Sequence, residues 1–230
     1  TLSNYLLSKS SNIVIEVFSN KNIKRKLKDS IWRYLGIIIN LRYCWKLFIT
    51  KNIRRKRKIC NAKRVKLIDT FILKNSIQNG KYIERNYNGI LDFVTEKEKE
   101  GLFFVPHIYG KYSKSSLQKI YESSKENIVF KQDFLKIRDY FSALLDILKM
   151  GNITKPHISL REFNIYPIVN EELSQKKYTF ISGLLNFYFI KRLKQEQVDL
   201  ELVVDWFENQ QLDKGFNLGV QTFYPNIIHI

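Results

Sequence analysis

Val65-Lys-Leu-Ile-Asp-Thr-Phe-Ile-Leu73 and, some thirty residues on, Leu102-Phe-Phe-Val-Pro-His-Ile108 decide the fold. Each is a short apolar run of strand length, rich in β-branched and aromatic residues. Between them lie a turn at Asn79-Gly80 and a helical pattern from Asn88 to Lys99. That helix should stop at Gly101, where a left-handed cap costs glycine little. Strand, helix, strand is the beginning of a parallel arrangement.

The alternation continues outward. Ser115 to Ser124 reads as a helix and Ile128 to Phe130 as a short strand. Asp133 is placed to cap a helix with the apolar face Phe134, Ile137, Phe141, Leu144 and Leu148, stopped by Gly151. A loop holding Pro156 and Pro167 follows. Then comes a long helix from Glu171 to about Gln195, acidic at its start and basic at its end, as the helix dipole favours. Val198 to Phe207 reads as a strand, Leu212 to Phe223 as a helix, and the residues from Asn226 as a strand. Strands separated by helices predict an α/β fold: a Rossmann-like parallel sheet with helices on both faces.

Residues 1–62 form a separate region, ahead of a Rossmann-like domain over 63–230. Ile13 to Phe18 suits a strand, and Asn22 to Ile49 is helical, with Leu27, Ile31, Tyr34, Ile38, Leu41, Trp45 and Phe48 along one face. The charge is concentrated here. The chain carries a net +17, and Lys21 to Lys66 alone holds 17 Lys or Arg against the single acid Asp29. Such asymmetry implies an anionic partner. Trp32 and Trp45, with Arg54, Arg55, Lys56, Arg57 and Lys58, suit the headgroup level of an anionic membrane, where each basic residue contributes about 1 kcal/mol. A core helix flanked by solvated charges and a nucleic-acid surface remain the alternatives. Arg33, Arg42 and Lys46 interrupt the one stretch long enough to span a bilayer, so it is expected to lie on the surface.

Cys44 and Cys60 have no C-x-x-C spacing and form no disulfide framework, which favours a reducing cytoplasmic compartment. The start at Thr1 and the strand just beginning at Asn226 read as the ends of a fragment of a longer protein.

Ligands of a parallel sheet bind beyond the carboxyl ends of its strands. Glu208, Asn209 and Gln210 follow the strand that ends near Phe207. There Glu208 can take the proton of an attacking hydroxyl, while the two amides hold sugar hydroxyls. Glu208 and Asn209 can equally serve as caps of the next helix. Asp69 and Thr70 stand at the end of their strand, and Arg85 opens the next helix, where it can bind phosphate bidentately or form a structural ion pair. His107, at a strand end after Pro106, faces the substrate side. His157 and His229 complete the histidines, and no pair has metal-ligand spacing. Phosphate-loop, dinucleotide-binding and nucleophile-elbow motifs are absent from the sequence, as is any D-x-D triplet, so a metal-independent reaction without a cofactor is expected.

Lys66-Leu-Ile-Asp-Thr-Phe-Ile72, Asn79-Gly-Lys-Tyr-Ile-Glu-Arg85, Gly101-Leu-Phe-Phe-Val-Pro-His107, Trp206-Phe-Glu-Asn-Gln210 and Asn226-Ile-Ile-His-Ile230 resemble a group of bacterial surface-carbohydrate biosynthesis proteins. These look like glycosyltransferases of the two-Rossmann-domain, or GT-B, type. The resemblance runs from about Lys63 to Ile230 and implies the acceptor-side, N-terminal domain. It also implies a nucleotide-sugar donor held chiefly by a second domain, and a lipid-linked or saccharide acceptor. The tyrosine expected after Arg85 is displaced by Asn86, which weakens any role for Arg85. On this reading the protein builds lipopolysaccharide or capsule, peripherally at the inner face of the plasma membrane. A basic nucleic-acid-binding module is the alternative, disfavoured because no nucleic-acid motif occurs, and a non-catalytic assembly partner of the same pathway is another.

Overall fold

The computed structural model describes residues 38, 58–73, 76–78, 81–83, 86–87, 89–108, 114–124, 127–149, 159–160, 163–166, 180–206 and 210–230. The strand expected at Ile13 to Phe18, most of the basic helix and the basic run from Arg54 to Arg57 lie outside these residues. Among the described residues, five strands form one parallel sheet: β1 (Val65–Ile72), β2 (Leu102–Ile108), β3 (Asn127–Ile128), β4 (Leu200–Val204) and β5 (Ile228–His229). Their spatial order is β3-β2-β1-β4-β5, and every pairing is parallel. Two short antiparallel hairpins, Ile77–Gln78 with Lys81–Tyr82 and Ser159–Leu160 with Phe163–Asn164, stand apart from it. The helices are α1 (Glu96–Glu100), α2 (Lys114–Ser123), α3 (Ile137–Lys149), α4 (Phe180–Gln195) and α5 (Gln211–Phe223). The α/β parallel sheet expected from the alternation is present.

Side chains alternate between the faces of a strand, and here the alternation divides the core. Val65 and Leu67 of β1, Phe103 and Val105 of β2 and Val203 of β4 pack on one face, against Ala143 and Ile147 of α3, Leu185, Phe189 and Ile190 of α4, and Phe216 and Val220 of α5. On the other face, Ile68, Leu102 and Phe104 meet Tyr87, Ile90, Leu91 and Val94. Ile72 packs there with Leu117 and Ile120 of α2.

Several local expectations give way to tertiary packing. The helix expected from Asn88 to Lys99 is a 3-10 turn at Ile90–Asp92 followed by the single-turn-sized α1, whose N-cap Thr95 and Glu98 close a capping box. Gly101 is not left-handed, since its φ is −92°. Glycine matters there because a Cβ would come within 3.1 Å of the Arg64 carbonyl oxygen. α3 begins at Ile137 and turns a different face inward from the one expected. Phe141 is 63% exposed and Ile137 and Leu145 are exposed as well, while Ala143 and Ile147 are buried. The buried pair Asp139–Arg192 accounts for this. Arg192 of α4 donates through Nε to Asp139 Oδ2 at 2.9 Å and through Nη2 to Oδ1 at 2.5 Å, turning a polar residue of α3 toward the core.

α4 and α5 come into backbone contact where Gly183 faces Gly215. A Cβ on Gly215 would fall 1.9 Å from the carbonyl oxygen of Gly183, and one on Gly219 would press on the Ile190 side chain. This close approach sets the N-terminus of α5 against the strand ends. Among the described residues no helix is long and apolar enough to cross a membrane.

Candidate functional site

Three neighbouring strands carry their core columns outward to a polar tip on the same face. On β1 the column Val65, Leu67 continues to Asp69. On β2 the column Phe103, Val105 continues to His107. On β4 it passes from Val203 to Asp205, just beyond the strand. Because β1 and β2 pair in parallel with Asp69 opposite Val105, the next same-face position on β2 is His107. The tips meet at the carboxyl edge of the sheet, where α/β proteins bind ligands.

The first turn of α5 supplies a fourth group. Asp213 Oδ2 accepts a hydrogen bond from the backbone N–H of Gln210, at 2.9 Å, which closes the start of the helix. Oxygens of Asp69, Asp205 and Asp213 all lie within 4.8 Å of one another. His107 Nε2 is 2.8 Å from Asp69 Oδ1. That contact is out of line for a hydrogen bond, and His107 Nε2 is left without a hydrogen-bond partner. The flanking polar groups are better satisfied. Asn217 Nδ2 donates to Asp205 Oδ2 at 2.7 Å. Lys131 Nζ donates to Asn186 Oδ1 at 2.7 Å, and Asn186 Nδ2 donates to the Leu212 carbonyl at 2.9 Å, tying α4 to the first turn of α5.

Burial governs the electrostatics. Asp69, only 1% exposed, has its pKa pushed up to about 8 by loss of water; the Lys131 ammonium opposes the rise and the Asp213 carboxylate adds to it. Asp205, half-buried, is raised to about 7 by burial and then by Asp69. His107 is held well below its ordinary value by burial and by Lys131, so its imidazole is neutral at pH 7. Asp69 and His107 are therefore not an ion pair at neutral pH. As two carboxylates, Asp69 and Asp205 can only accept, and a hydrogen bond between them requires a shared proton.

The residues expected from sequence separate accordingly. Asp69 and His107 are brought together. Thr70 points to the opposite face, where its Oγ1 accepts a hydrogen bond from Asn86 Nδ2 at 2.8 Å, near the edge-to-face pair Tyr87–Trp206. Gln210 is the N-cap residue of α5. Lys58 begins a 3-10 turn, Lys58–Asn61. Glu208, Asn209, Arg85, Trp32, Trp45, Arg54, Arg55, Lys56 and Arg57 lie outside the described residues. Sequence reasoning missed Asp205 and Asp213. Counting by twos from the apolar Val203 leads to Asp205, which was available as a signal. Asp213, three residues into a helix, reads as an ordinary first-turn acid.

No family model, curated protein or solved structure matches the chain.

Proposed function

We propose that this chain is the acceptor-side, Rossmann-like domain of a GT-B-type glycosyltransferase that builds bacterial surface polysaccharide. The observation that supports this reading is the convergence of Asp69, His107, Asp205 and Asp213 at the carboxyl edge of a parallel sheet. Sugar transfer forms a bond from an acceptor oxygen to the anomeric carbon, breaks the bond from that carbon to the donor phosphate, and needs an acceptor for the hydroxyl proton. Carboxylates and a neutral imidazole bind sugar hydroxyls and take protons, and Asp205 is the member of the group nearest solvent. The donor is a nucleotide sugar and the acceptor a lipid-linked or free saccharide. The basic N-terminal region holds the enzyme to an anionic inner leaflet.

Saturation-transfer NMR tests this with bacterial-type oligosaccharides and short RNA at matched salt. Saccharide signals that vanish in Asp69→Asn and Asp205→Asn support the reading. Silence from every saccharide sinks it, and binding of RNA alone favours the nucleic-acid module instead.

A further inference from the structure

We propose that Asp69, Asp205 and Asp213, with His107, hold a divalent cation of the magnesium–manganese kind at the carboxyl edge of the sheet. The inference goes beyond sugar transfer and stands without it. It also departs from the metal-independent expectation: a D-x-D triplet presents its carboxylates from one short loop, whereas these come from two strand ends and a helix. Motif inspection has no means of seeing such a site.

Three features argue for an ion. The first is His107, an imidazole more than nine-tenths buried whose Nε2 makes no hydrogen bond and sits beside the Asp69 carboxyl. A buried polar atom left in this way costs roughly 1–3 kcal/mol unless something is bound to it. The second is spacing. Nε2 lies 2.8 Å from Asp69 Oδ1, out of line for hydrogen bonding. Adjacent ligands around an octahedral ion at about 2.1 Å stand about 3 Å apart, and opposite ones about 4.2 Å. The carboxylate oxygens, all within 4.8 Å of one another, need only a slight closure to meet that geometry.

The third is charge. With all three carboxyls ionised, as a bound ion would hold them, they and the nearby Lys131 ammonium leave two negative charges, which one divalent ion cancels. Hard oxygen donors select the magnesium, calcium and manganese class, and the imidazole tilts that choice toward manganese. A ligand oxygen joining the open side of such an ion would have its pKa lowered. Asp205, half-buried, leaves that side nearest to solvent.

The test is titration of Mn²⁺ into the purified chain, with free Mn²⁺ read by electron paramagnetic resonance and the His107 ring read by NMR. One bound equivalent, paramagnetic broadening of the His107 ring resonances and a higher melting temperature are expected. Asp205→Asn and Asp213→Asn, which keep an oxygen to accept from Asn217 Nδ2 and from the Gln210 backbone N–H, should each weaken binding by at least about tenfold. Glu96→Gln, an exposed acid on α1, should leave binding unchanged. Absence of binding up to about 1 mM Mn²⁺, sharp His107 signals in the bound state, or undiminished affinity in both Asn variants would overturn the proposal. The His107 readout needs no variant, so a variant that fails to fold does not spoil the test. Mn²⁺ binding without any saccharide binding would retain the cation and discard the transferase; saccharide binding without Mn²⁺ would do the reverse.

Discussion

The carbonyl oxygen of Gly183 occupies the place a side chain on Gly215 would need, 1.9 Å from the ideal Cβ position. α4 and α5 are consequently in backbone contact, and the start of α5 is fixed relative to the strands. Gly215→Ala can be accommodated only by moving one helix. Overpacking of this kind costs about 1–3 kcal/mol, occasionally more. A urea denaturation midpoint clearly below that of the wild type is the expected result, and an unchanged midpoint would show that the helices separate easily.

The buried carboxyls give stability a defined slope with pH. Asp69 and Asp205 have folded pKa values of about 8 and about 7, above the value of 3.8 for a free aspartate. The folded state therefore binds more protons than the unfolded state across this interval. Their contribution to stability is fully present below the unfolded pKa and is lost as pH rises toward 8, the reverse of the usual carboxylate behaviour. Melting temperatures measured from pH 5 to 8 without divalent cations should decline, and Asp69→Asn should flatten the decline. A flat wild-type profile would contradict the raised pKa values of these buried carboxyls.

Arg192 and Asp139 form an ion pair with both side chains almost inaccessible to water. Removing one partner strands the other, which for buried pairs costs about 3–5 kcal/mol. Arg192→Met alone should therefore destabilise strongly. Asp139→Asn should cost at least as much, because the Arg192 guanidinium stays charged where a stranded Asp139 could take up a proton, even though the amide oxygen can still accept from the Lys136 backbone N–H. Chemical denaturation of the two variants checks the order.

Asn186 couples Lys131 to the first turn of α5. Asn186→Leu leaves the Lys131 ammonium and the Leu212 carbonyl without these bonds, at a cost of about 1–3 kcal/mol. The effect should be local as well as global: amides at the start of α5 should exchange faster than those at its end. Uniform protection along α5 would mean that this turn is held by other contacts.

The layered fold was legible because its signals are short-range. Apolar runs such as Val65–Ile72 and Leu102–Ile108, set apart by helical patterns, suffice to announce a parallel sheet. The site was half legible. His107 sits next to the end of its strand, while Asp69 lies three residues inside the end of β1, level with the end of β4. Asp205 is likewise a strand-end residue, but the Glu208-Asn-Gln210 run three positions later carries the more conspicuous polar pattern. Asp213 depends on how α5 docks, and nothing local encodes that. The inward face of α3 was hidden for the same reason, since Asp139 and Arg192 are 53 residues apart and the apolar period of α3 points the other way. Long-range polar pairs of this kind override amphipathic pattern without leaving a trace in it.

The columns that run from Leu67 to Asp69, Val105 to His107 and Val203 to Asp205 separate two tasks by a single step of the chain. The inner rung is committed to packing. The outer rung is an interchangeable headpiece, and its chemistry can be rewritten at positions 69, 107 and 205 while the layer beneath keeps its shape. Anyone redesigning what this protein holds would begin with those three letters and leave their neighbours two places back untouched.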